Sequence, residues 1–403
     1  MWEQIRANRV RSVVVVVFMG LLLVAVGYAL GFYFLGSPEG GIAIALVVWF
    51  IMNLVALLQG DNIMLSLSHA KKVTKESYPR LVNIVEEMSI ASGLPTVPAV
   101  YVIDDPSPNA FATGKNPKVA AVAVTTGLLQ QLNRDELQGV IAHEIGHISN
   151  RDTLLMAIGG VMLGTIVILA WYASRMLFFG GMGGNRRSSS GGGGSAQLIL
   201  MIVGIVLLIL APIAARLLYF ALSRKREYLA DASSALYTRY PEGLASALEK
   251  ISGSHEQLKA ANNATAPMYI VNPFRKKGHA AADLTSTHPP TSERIRVLRS
   301  MGGAAFGDYD AAFRSVRGKG GGVVPHGSLA IPAAVSLRAA TAGEDTSGFA
   351  EVQRAREASD VMWKANDYQT VDCDCGARLR VPPGLKRNEI RCPRCGTTHK
   401  LSR

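Results

Sequence analysis

The chain has 403 residues, of which 49% are hydrophobic and 18% are charged, and its mean hydropathy is +0.20. This balance is too apolar for an ordinary soluble protein and too charged for a pure transporter, so a chain with membrane and soluble parts is predicted. The net charge of +12 would indicate nucleic-acid binding in a soluble protein. In a membrane protein, cytoplasmic loops rich in Lys and Arg give the same excess, and we favour that interpretation.

Two uncharged runs lie near the N-terminus, over residues 12–36 and 41–60. Each reaches the roughly 20 residues that a helix needs to cross a bilayer. The turn Ser-Pro-Glu-Gly-Gly between them predicts a helical hairpin. A cleaved signal peptide is the alternative, but the first apolar run is too long for one and a second run follows at once. A retained signal anchor is therefore predicted.

Two further uncharged runs of membrane length cover residues 153–174 and 196–215. The segment between them includes a low-complexity stretch rich in Gly and Ser, at residues 180–195, which is typical of a flexible linker. A buried hairpin inside a soluble core is the alternative. The leading prediction is a mainly α-helical membrane protein with four transmembrane helices.

Positive charge predicts the orientation of these helices. Basic clusters precede the first run, follow the second and follow the fourth; they are Arg6, Arg9 and Arg11, then Lys71, Lys72 and Lys75, then Arg224, Lys225 and Arg226. Four crossings place all three clusters on one side, which the positive-inside rule assigns to the cytoplasm. Arg186 and Arg187, between the third and fourth runs, would lie on the opposite side and are exceptions to this rule.

Outside the membrane runs, the sequence predicts a domain of helices with a small sheet. The predicted helices cover residues 78–95, 134–148, 224–238 and 242–251, and the predicted strands cover 99–104 and 119–127. The first helix has apolar residues at helical spacing and stops at Gly-Leu-Pro. The second is expected to be capped by Asn133 or Asp135.

The composition also predicts the domain boundaries. Residues 302–348 are rich in Gly, Ala and Ser and are predicted to be a flexible linker, followed by a candidate helix. The predicted units are a transmembrane hairpin at 1–60, a central domain at 61–301 with a second hairpin at about 153–222, the linker at 302–348, the candidate helix at 349–370 and a cysteine module at 371–403.

The sequence His-Glu-Ile-Gly-His at residues 143–147 predicts a metal site. Residues four apart share one face of a helix, so His143 and His147 can bind the same cation. Glu144 beside them can take a proton from a metal-bound water, and zinc is the usual metal of such a site. Histidines packed in a core without metal are the alternative.

A third ligand is expected from another helix. Glu227 and Asp231 lie four residues apart within residues 223–235. Glu227 can bind the metal, and Asp231 can accept the second ring N–H of a zinc histidine and fix its tautomer. Without the histidine motif, the two carboxylates would read as a solvated helix face. Two membrane crossings between the motif and Glu227 return the chain to the same side, so the ligands can meet.

The chain carries four motifs among the predicted spans: His-Glu-Ile-Gly-His at 143–147, Arg-Glu-Tyr-Leu-Ala-Asp at 226–231, Asn-Ala-Phe-Ala-Thr-Gly at 109–114 and Thr-His-Pro-Pro-Thr-Ser-Glu-Arg-Ile at 287–295. Together they resemble the HtpX family of membrane-bound zinc metallopeptidases, to which the CAAX prenyl proteases are more distant relatives. The resemblance covers about residues 1–300. It implies a gluzincin-type α+β catalytic domain on the cytoplasmic face, and proteolysis of membrane proteins in quality control or stress.

The resemblance also assigns residue roles. It implies that His143, His147 and Glu227 bind the catalytic zinc and that Glu144 is the catalytic base. It places Asn109, Ala110, Phe111 and Ala112 beside the substrate cleft, where an extended substrate can add a strand to a sheet edge; a simple turn is the alternative. It puts His288 near the metal, either stabilising the oxyanion or covering the metal at rest. Arg294 is expected to hold that loop by pairing with an acidic residue such as Asp231.

The C-terminal module carries all four cysteines of the chain, Cys373, Cys375, Cys392 and Cys395. Two close pairs, each followed by glycine, are typical of a tetrahedral structural zinc, although the first pair has one intervening residue instead of two. Two disulfides are the alternative, which a cytoplasmic location disfavours. The module is basic but has few aromatic residues, so nucleic-acid binding is not expected.

We therefore predict a multi-pass zinc endopeptidase of the cell inner (plasma) membrane, with one catalytic and one structural Zn²⁺. Its partners are the bilayer and protein substrates, namely membrane or misfolded proteins. One alternative is a membrane-tethered adaptor. In that protein the C-terminal cysteine module, a zinc ribbon, would carry the function, and the peptidase-like region would be a degenerate scaffold. A prenyl-protein protease is another, but four spans and a flexible linker disfavour a closed chamber in the membrane.

Overall fold

A computed structural model gives the fold of the chain. It describes residues 2–32, 36–154, 156, 166–167, 171, 210, 213–214, 224–254, 256–259, 268–271, 288–318, 321–329, 335–341, 356–357, 359–360, 363, 366, 368–383, 385 and 389–401. The third and fourth predicted membrane runs, at 153–174 and 196–215, lie almost entirely outside these residues.

Two long helices form a hairpin at the N-terminus, α1 (Trp2–Leu30) and α2 (Pro38–Leu67). Their backbones touch at glycines, since a Cβ on Gly41 would lie 2.1 Å from the Gly27 carbonyl oxygen. Among the described residues, α2 is the one helix that is long and apolar enough to cross a membrane. Together α1 and α2 give the predicted hairpin, although α1 begins ten residues before the uncharged run.

A four-stranded sheet lies beside the soluble helices. Its strands are β1 (Lys71–Lys72), β2 (Ala99–Ile103), β3 (Ala110–Thr113) and β4 (Ala121–Thr125), in the order β1-β2-β4-β3. Strands β2 and β4 are parallel and match the predicted strands, whereas β3 runs antiparallel to β4 and forms one edge. Residues 110–113 are therefore strand rather than turn, which is the outcome that a substrate-binding edge requires.

Helices pack on this sheet and bury the centre of the domain. They are α3 (Pro79–Ser92), α4 (Thr126–Gln131), α5 (Arg134–Ser149), α6 (residues 224–238), α7 (Pro241–Gly253), α8 (Thr291–Arg299), α9 (Phe306–Arg317) and α10 (His326–Leu329). Helix α3 ends at Gly93, whose φ of 68° is the left-handed conformation that glycine adopts at low cost. The apolar faces of α3, α5 and α7 meet in one core, through residues such as Ile84, Val140 and Leu248.

Helix α5 carries the histidine motif and lies in the interior. It begins with a capping box in which Asn133 and Glu136 satisfy each other's backbone amides. Of the two predicted caps, Asn133 is the observed one. Gly146 lets α6 approach closely, because a Cβ there would lie 3.0 Å from the Ser233 Cβ and 3.3 Å from the Ala230 Cα.

The prediction that residues 302–348 form a flexible linker is wrong for a large part of this region. Phe306–Arg317 form helix α9, which buries Tyr309, Ala312 and Phe313 against the domain. These apolar residues recur at helical spacing, but the surrounding glycines and alanines hide them in the composition. Residues 335–341 also pack on the domain, so at least part of this region is built into it.

The C-terminal module consists of two antiparallel hairpins. Strand β5 (Gln369–Asp372) pairs with β6 (Arg378–Val381), and β7 (Glu389–Arg391) pairs with β8 (Thr398–Lys400). The candidate helix at 349–370 lies mainly outside the described residues, although those described between 356 and 363 are helical.

Candidate metal centre

Helix α5 brings two imidazoles together, as the four-residue spacing requires. The Nε2 atoms of His143 and His147 lie 3.2 Å apart, and both side chains are at most 5% exposed. Their rings meet edge to face with centroids 4.8 Å apart. Two ring nitrogens that point at one spot in a buried site repel each other unless a proton or a cation lies between them.

Helix α6 supplies the carboxylate that faces these nitrogens. Glu227 Oε2 lies 3.7 Å from His143 Nε2, and Glu227 Oε1 lies 3.4 Å from His147 Nε2. All three candidate ligand atoms lie within 4.8 Å of one another, and Glu227 is 2% exposed. Two imidazole nitrogens and one carboxylate form the His₂Glu ligand set of catalytic zinc sites, so the residues present fit this metal.

Each of the two histidines contacts a buried aspartate through its other ring nitrogen, Nδ1. Asp231 Oδ1 lies 2.9 Å from His143 Nδ1, and Asp152 Oδ2 lies 3.1 Å from His147 Nδ1. Both aspartates are fully buried. Each carboxylate favours the tautomer with the proton on Nδ1, so both Nε2 lone pairs face the candidate metal position.

The sequence patterns missed Asp152 as a partner of His147. It lies five residues beyond His147, after the end of α5, and the intervening Arg151 has a positive φ of 61°. This left-handed residue turns the chain back towards the helix. An acidic residue one turn past a zinc helix is the signal that could have identified it, but helical spacing does not extend through such a turn.

Replacing Asp152 by Ala is expected to weaken zinc binding by about 10- to 100-fold, because His147 loses the acceptor that fixes its tautomer. The free Zn²⁺ concentration that gives half-maximal cleavage in zinc-buffered solution measures this effect. Asp308, an acidic residue of α9 that caps its own helix at Ala305, provides the matched Asp-to-Ala control. An unchanged zinc requirement in Asp152→Ala would contradict the role of Asp152.

Arg294 on α8 connects the two acidic residues of α6. Its Nε and Nη2 donate to Asp231 at 2.8 and 2.6 Å, and its Nη1 lies 3.3 Å from Glu227 Oε2. The side chain is completely buried. Burial raises the pKa of Asp231, but the charge of Arg294 and the hydrogen bond to His143 outweigh it, and the pKa stays below its ordinary value. The structure thus brings the predicted pair together.

Glu144 is buried beside the histidines but lies outside their hydrogen-bond network. Among the described residues, neither of its carboxylate oxygens has a hydrogen-bond partner of normal geometry. Burial raises the pKa of Glu144 to about 8, although the charge of His147 and the Ala112 amide lower it in part. A buried carboxylate without fixed partners and with a raised pKa is suited to exchange protons with a reactant.

His288 lies next to the ligand cluster, as the resemblance implied. Its Nδ1 is 3.1 Å from Glu227 Oε2, and its side chain is 5% exposed. The imidazole therefore faces the same carboxylate as the two histidines of α5.

The edge strand β3 passes beside Glu144. Asn109 and Ala110 are buried, and the Asn109 side-chain amide donates to the Val271 carbonyl at 3.0 Å. The Ala110 carbonyl accepts from the Ile270 amide at 2.9 Å. The Asn109 side chain therefore contacts residues 268–271 of the chain itself. The Ala112 amide lies towards Glu144.

The four cysteines of the module converge at a second candidate site. The Sγ atoms of Cys373 and Cys395 lie 3.4 Å apart, and those of Cys375 and Cys392 lie 3.7 Å apart. None of the four forms a disulfide. Both turns end in a left-handed glycine and carry corresponding backbone hydrogen bonds, each of which spans one residue fewer in the first turn. Four clustered sulfurs without disulfides suit a tetrahedral zinc.

Replacing Cys392 by Ser is expected to remove the zinc of the module and to unfold its two hairpins, because so small a unit buries little apolar surface. Metal analysis and limited proteolysis of the full-length protein measure the two effects. His399 lies in the same module outside the cysteine cluster, so His399→Ala is the matched control. Full zinc content in Cys392→Ser would contradict this assignment.

Comparison with known proteins identifies a family model, related sequences and a solved structure to which the chain is similar. Residues 75–302 match the family model described as peptidase family M48. A protein named "Protease HtpX homolog" from Dictyoglomus thermophilum is 50% identical over 302 residues, which cover 75% of this chain and 95% of that protein. One of the same name from Streptococcus mutans is 44% identical over 301 residues, with 75% and 100% coverage. The crystal structure of S. mikatae Ste24p aligns with 74% of this chain and 67% of that chain at 20% identity, with a TM-score of 0.41.

Proposed function

The chain belongs to peptidase family M48 and is a membrane metalloprotease of a zinc-dependent family, and we propose that His143, His147 and Glu227 hold its catalytic zinc. The observation that carries the proposal is the convergence of these ligand atoms within 4.8 Å of one another. The lone carboxylate of Glu144 beside them supports a hydrolytic rather than a structural site.

The reaction we propose is hydrolysis of a peptide bond. A zinc ion in this site supplies Lewis-acid activation of water and of the scissile carbonyl. Glu144 removes a proton from the attacking water and then delivers it to the leaving amine. Asp231 and Asp152 hold the two ligand histidines in the tautomer that leaves Nε2 free. Arg294 keeps Asp231 ionised and in place.

Substrate binding is proposed at the edge of β3. An extended peptide can pair with the backbone of residues 110–113, and the Ala112 amide next to Glu144 supports this placement. The contacts of Asn109 and Ala110 with residues 268–271 must open if the whole edge is used. His288 fits two roles, as oxyanion donor or as a cover for the resting metal. Replacing His288 by Ala would lower the cleavage rate in the first case and raise it in the second.

Four membrane spans, with the active site on the cytoplasmic side of the cell membrane, complete the proposal. The length of α2 and the charge distribution support it. In this topology the second hairpin connects the histidines of α5 to Glu227 of α6 and holds the site next to the bilayer. Membrane proteins and misfolded proteins, in quality control or stress, are the proposed substrates. A second, structural zinc is proposed in the cysteine module.

The test is proteolysis by the full-length protein reconstituted in membranes. A membrane protein with cytoplasmic loops and an unfolded soluble protein serve as substrates, and mass spectrometry identifies the cleavage sites. We expect internal cleavage of both, abolished by a chelator and restored by Zn²⁺. Cleavage confined to prenylated C-terminal tails would favour the prenyl-protease alternative. No cleavage in the presence of zinc would favour the adaptor.

A further inference from the structure

The contact between α5 and α6, the helices that carry the proposed zinc ligands, includes several small residues. Gly146 of α5 faces Ala230 and Ser233 of α6, and the Ser234 hydroxyl donates to the Gly139 carbonyl at 2.8 Å. Small residues bring the two backbones close, and the buried His143–Asp231 contact at 2.9 Å joins the helices directly beside the ligands. More than 70 residues separate the two helices in the chain. Contacts from other segments therefore add to the few direct bonds that set their relative register.

Residues 335–341, named here the clasp, bind the N-terminal end of α5. The Arg338 guanidinium donates through Nη2 to Asp135 Oδ1 at 2.8 Å and to Gln138 Oε1 at 2.7 Å. Thr341 donates to the same Asp135 through its backbone amide at 2.8 Å and its hydroxyl at 2.6 Å. Arg338 is 26% exposed and Asp135 is 11% exposed, so water screens these bonds only in part.

The same clasp binds the C-terminal end of α6. Arg338 donates through Nε to the Thr238 carbonyl at 2.8 Å and through its backbone amide to the Arg239 carbonyl at 2.9 Å. Arg239 in turn donates to the Ser336 carbonyl and hydroxyl at 3.1 and 2.7 Å. One guanidinium therefore joins the beginning of α5 to the end of α6. The fork geometry of arginine is suited to such a double contact.

The end of α6 is also conformationally strained. Arg239 has a φ of 55°, in the left-handed region that side chains with a Cβ rarely adopt. Its backbone carbonyl and its side chain are both bound by the clasp, which offsets the cost of this conformation. The clasp is therefore part of what ends α6 at this position.

The clasp lies beyond residue 302, where the match to the M48 family model ends. We propose that it fixes the register of α5 against α6 together with the direct bonds between the helices, with Arg338 as the positioning residue. By this action the clasp holds the two histidines and Glu227 at the separation that one zinc ion requires. The inference rests on the proposed zinc site and assigns part of its geometry to a C-terminal extension outside the region matched by the family.

The test compares Arg338→Ala, Arg338→Lys and a control, Arg314→Ala, in the full-length protein in detergent. Arg314 lies in the same region but pairs with Asp310 and is 50% exposed. The readouts are the free Zn²⁺ concentration for half-maximal cleavage and the hydrogen exchange of α5 and α6 amides. We expect Arg338→Ala to raise the free Zn²⁺ concentration for half-maximal cleavage about tenfold, the lower end of the effect of losing a group that positions a metal ligand. We also expect faster amide hydrogen exchange in both helices. Arg338→Lys should restore the wild-type zinc requirement in part, because lysine keeps the positive charge but lacks the planar guanidinium that donates to both helices.

An unchanged zinc requirement in Arg338→Ala, even with a lower melting temperature, would overturn the proposal, because the clasp would then only stabilise the fold. If Arg338→Ala does not fold, Thr341→Val takes its place, since it removes one hydroxyl bond to Asp135 at nearly constant volume. No shift of its zinc requirement would equally overturn the proposal. A wild-type protein whose cleavage needs no zinc would instead refute the proposed zinc site itself.

Discussion

Replacing Glu144 by Gln is expected to lower the cleavage rate by at least about a hundredfold, the lower range of general-base contributions, and to leave the zinc content unchanged. Glutamine has nearly the same shape but no basic oxygen, so it cannot accept the proton of the attacking water. Glu144 does not belong to the cluster of candidate ligand atoms, which is why the metal should remain. Product mass spectrometry and metal analysis on the same sample measure both effects.

The variant should fold at least as stably as the wild type. Burial raises the pKa of Glu144 to about 8, so the charged form is disfavoured in the metal-free site and a neutral amide costs little there. Glu249→Gln, at a carboxylate that is 61% exposed, is the matched control and should cleave at the wild-type rate. A Glu144→Gln protein that retains most of its activity would remove Glu144 from the reaction.

Much of the metal centre could be predicted from sequence because its spacing is helical. A four-residue interval within one helix fixes the relation of His143 to His147, and of Glu227 to Asp231, whatever the tertiary fold. The meeting of the two pairs depended on a long-range argument, the even number of membrane crossings between them. Asp152 was missed because a left-handed residue separates it from the helix, and such local turns leave little trace in composition.

The C-terminal extension shows the opposite case. Its glycines and alanines predicted a linker, and the structure instead has helix α9 and the clasp packed on the catalytic domain. The contacts of Arg338 with Asp135 and Thr238 join residues 203 and 100 positions apart. No periodic pattern encodes such a pair, because each partner is a single polar residue in a distant part of the chain.

The second large effect is expected for Glu227→Ala, which should remove the catalytic zinc and abolish cleavage while the cysteine module keeps its own ion. Two imidazoles alone form an incomplete site, since catalytic zinc usually has three protein ligands. With both proposed sites filled, metal analysis of the full-length protein should give two zinc ions per chain for the wild type and one for the variant. The Cys392→Ser protein should also hold one, but with its catalytic site intact.

Loss of folding is the competing explanation for such a result, because Arg294 and His288 also contact Glu227. Arg294 keeps its two bonds to Asp231 in the variant, so its charge is not left unpaired. Glu227→Gln retains the side-chain volume and should show the same loss of activity, with the melting temperature of the wild type when both proteins are compared in the presence of a chelator. Two zinc ions in Glu227→Ala would mean that the third ligand is another residue. One zinc in the wild type, lost in Cys392→Ser, would support the adaptor, since the peptidase scaffold would then hold no metal.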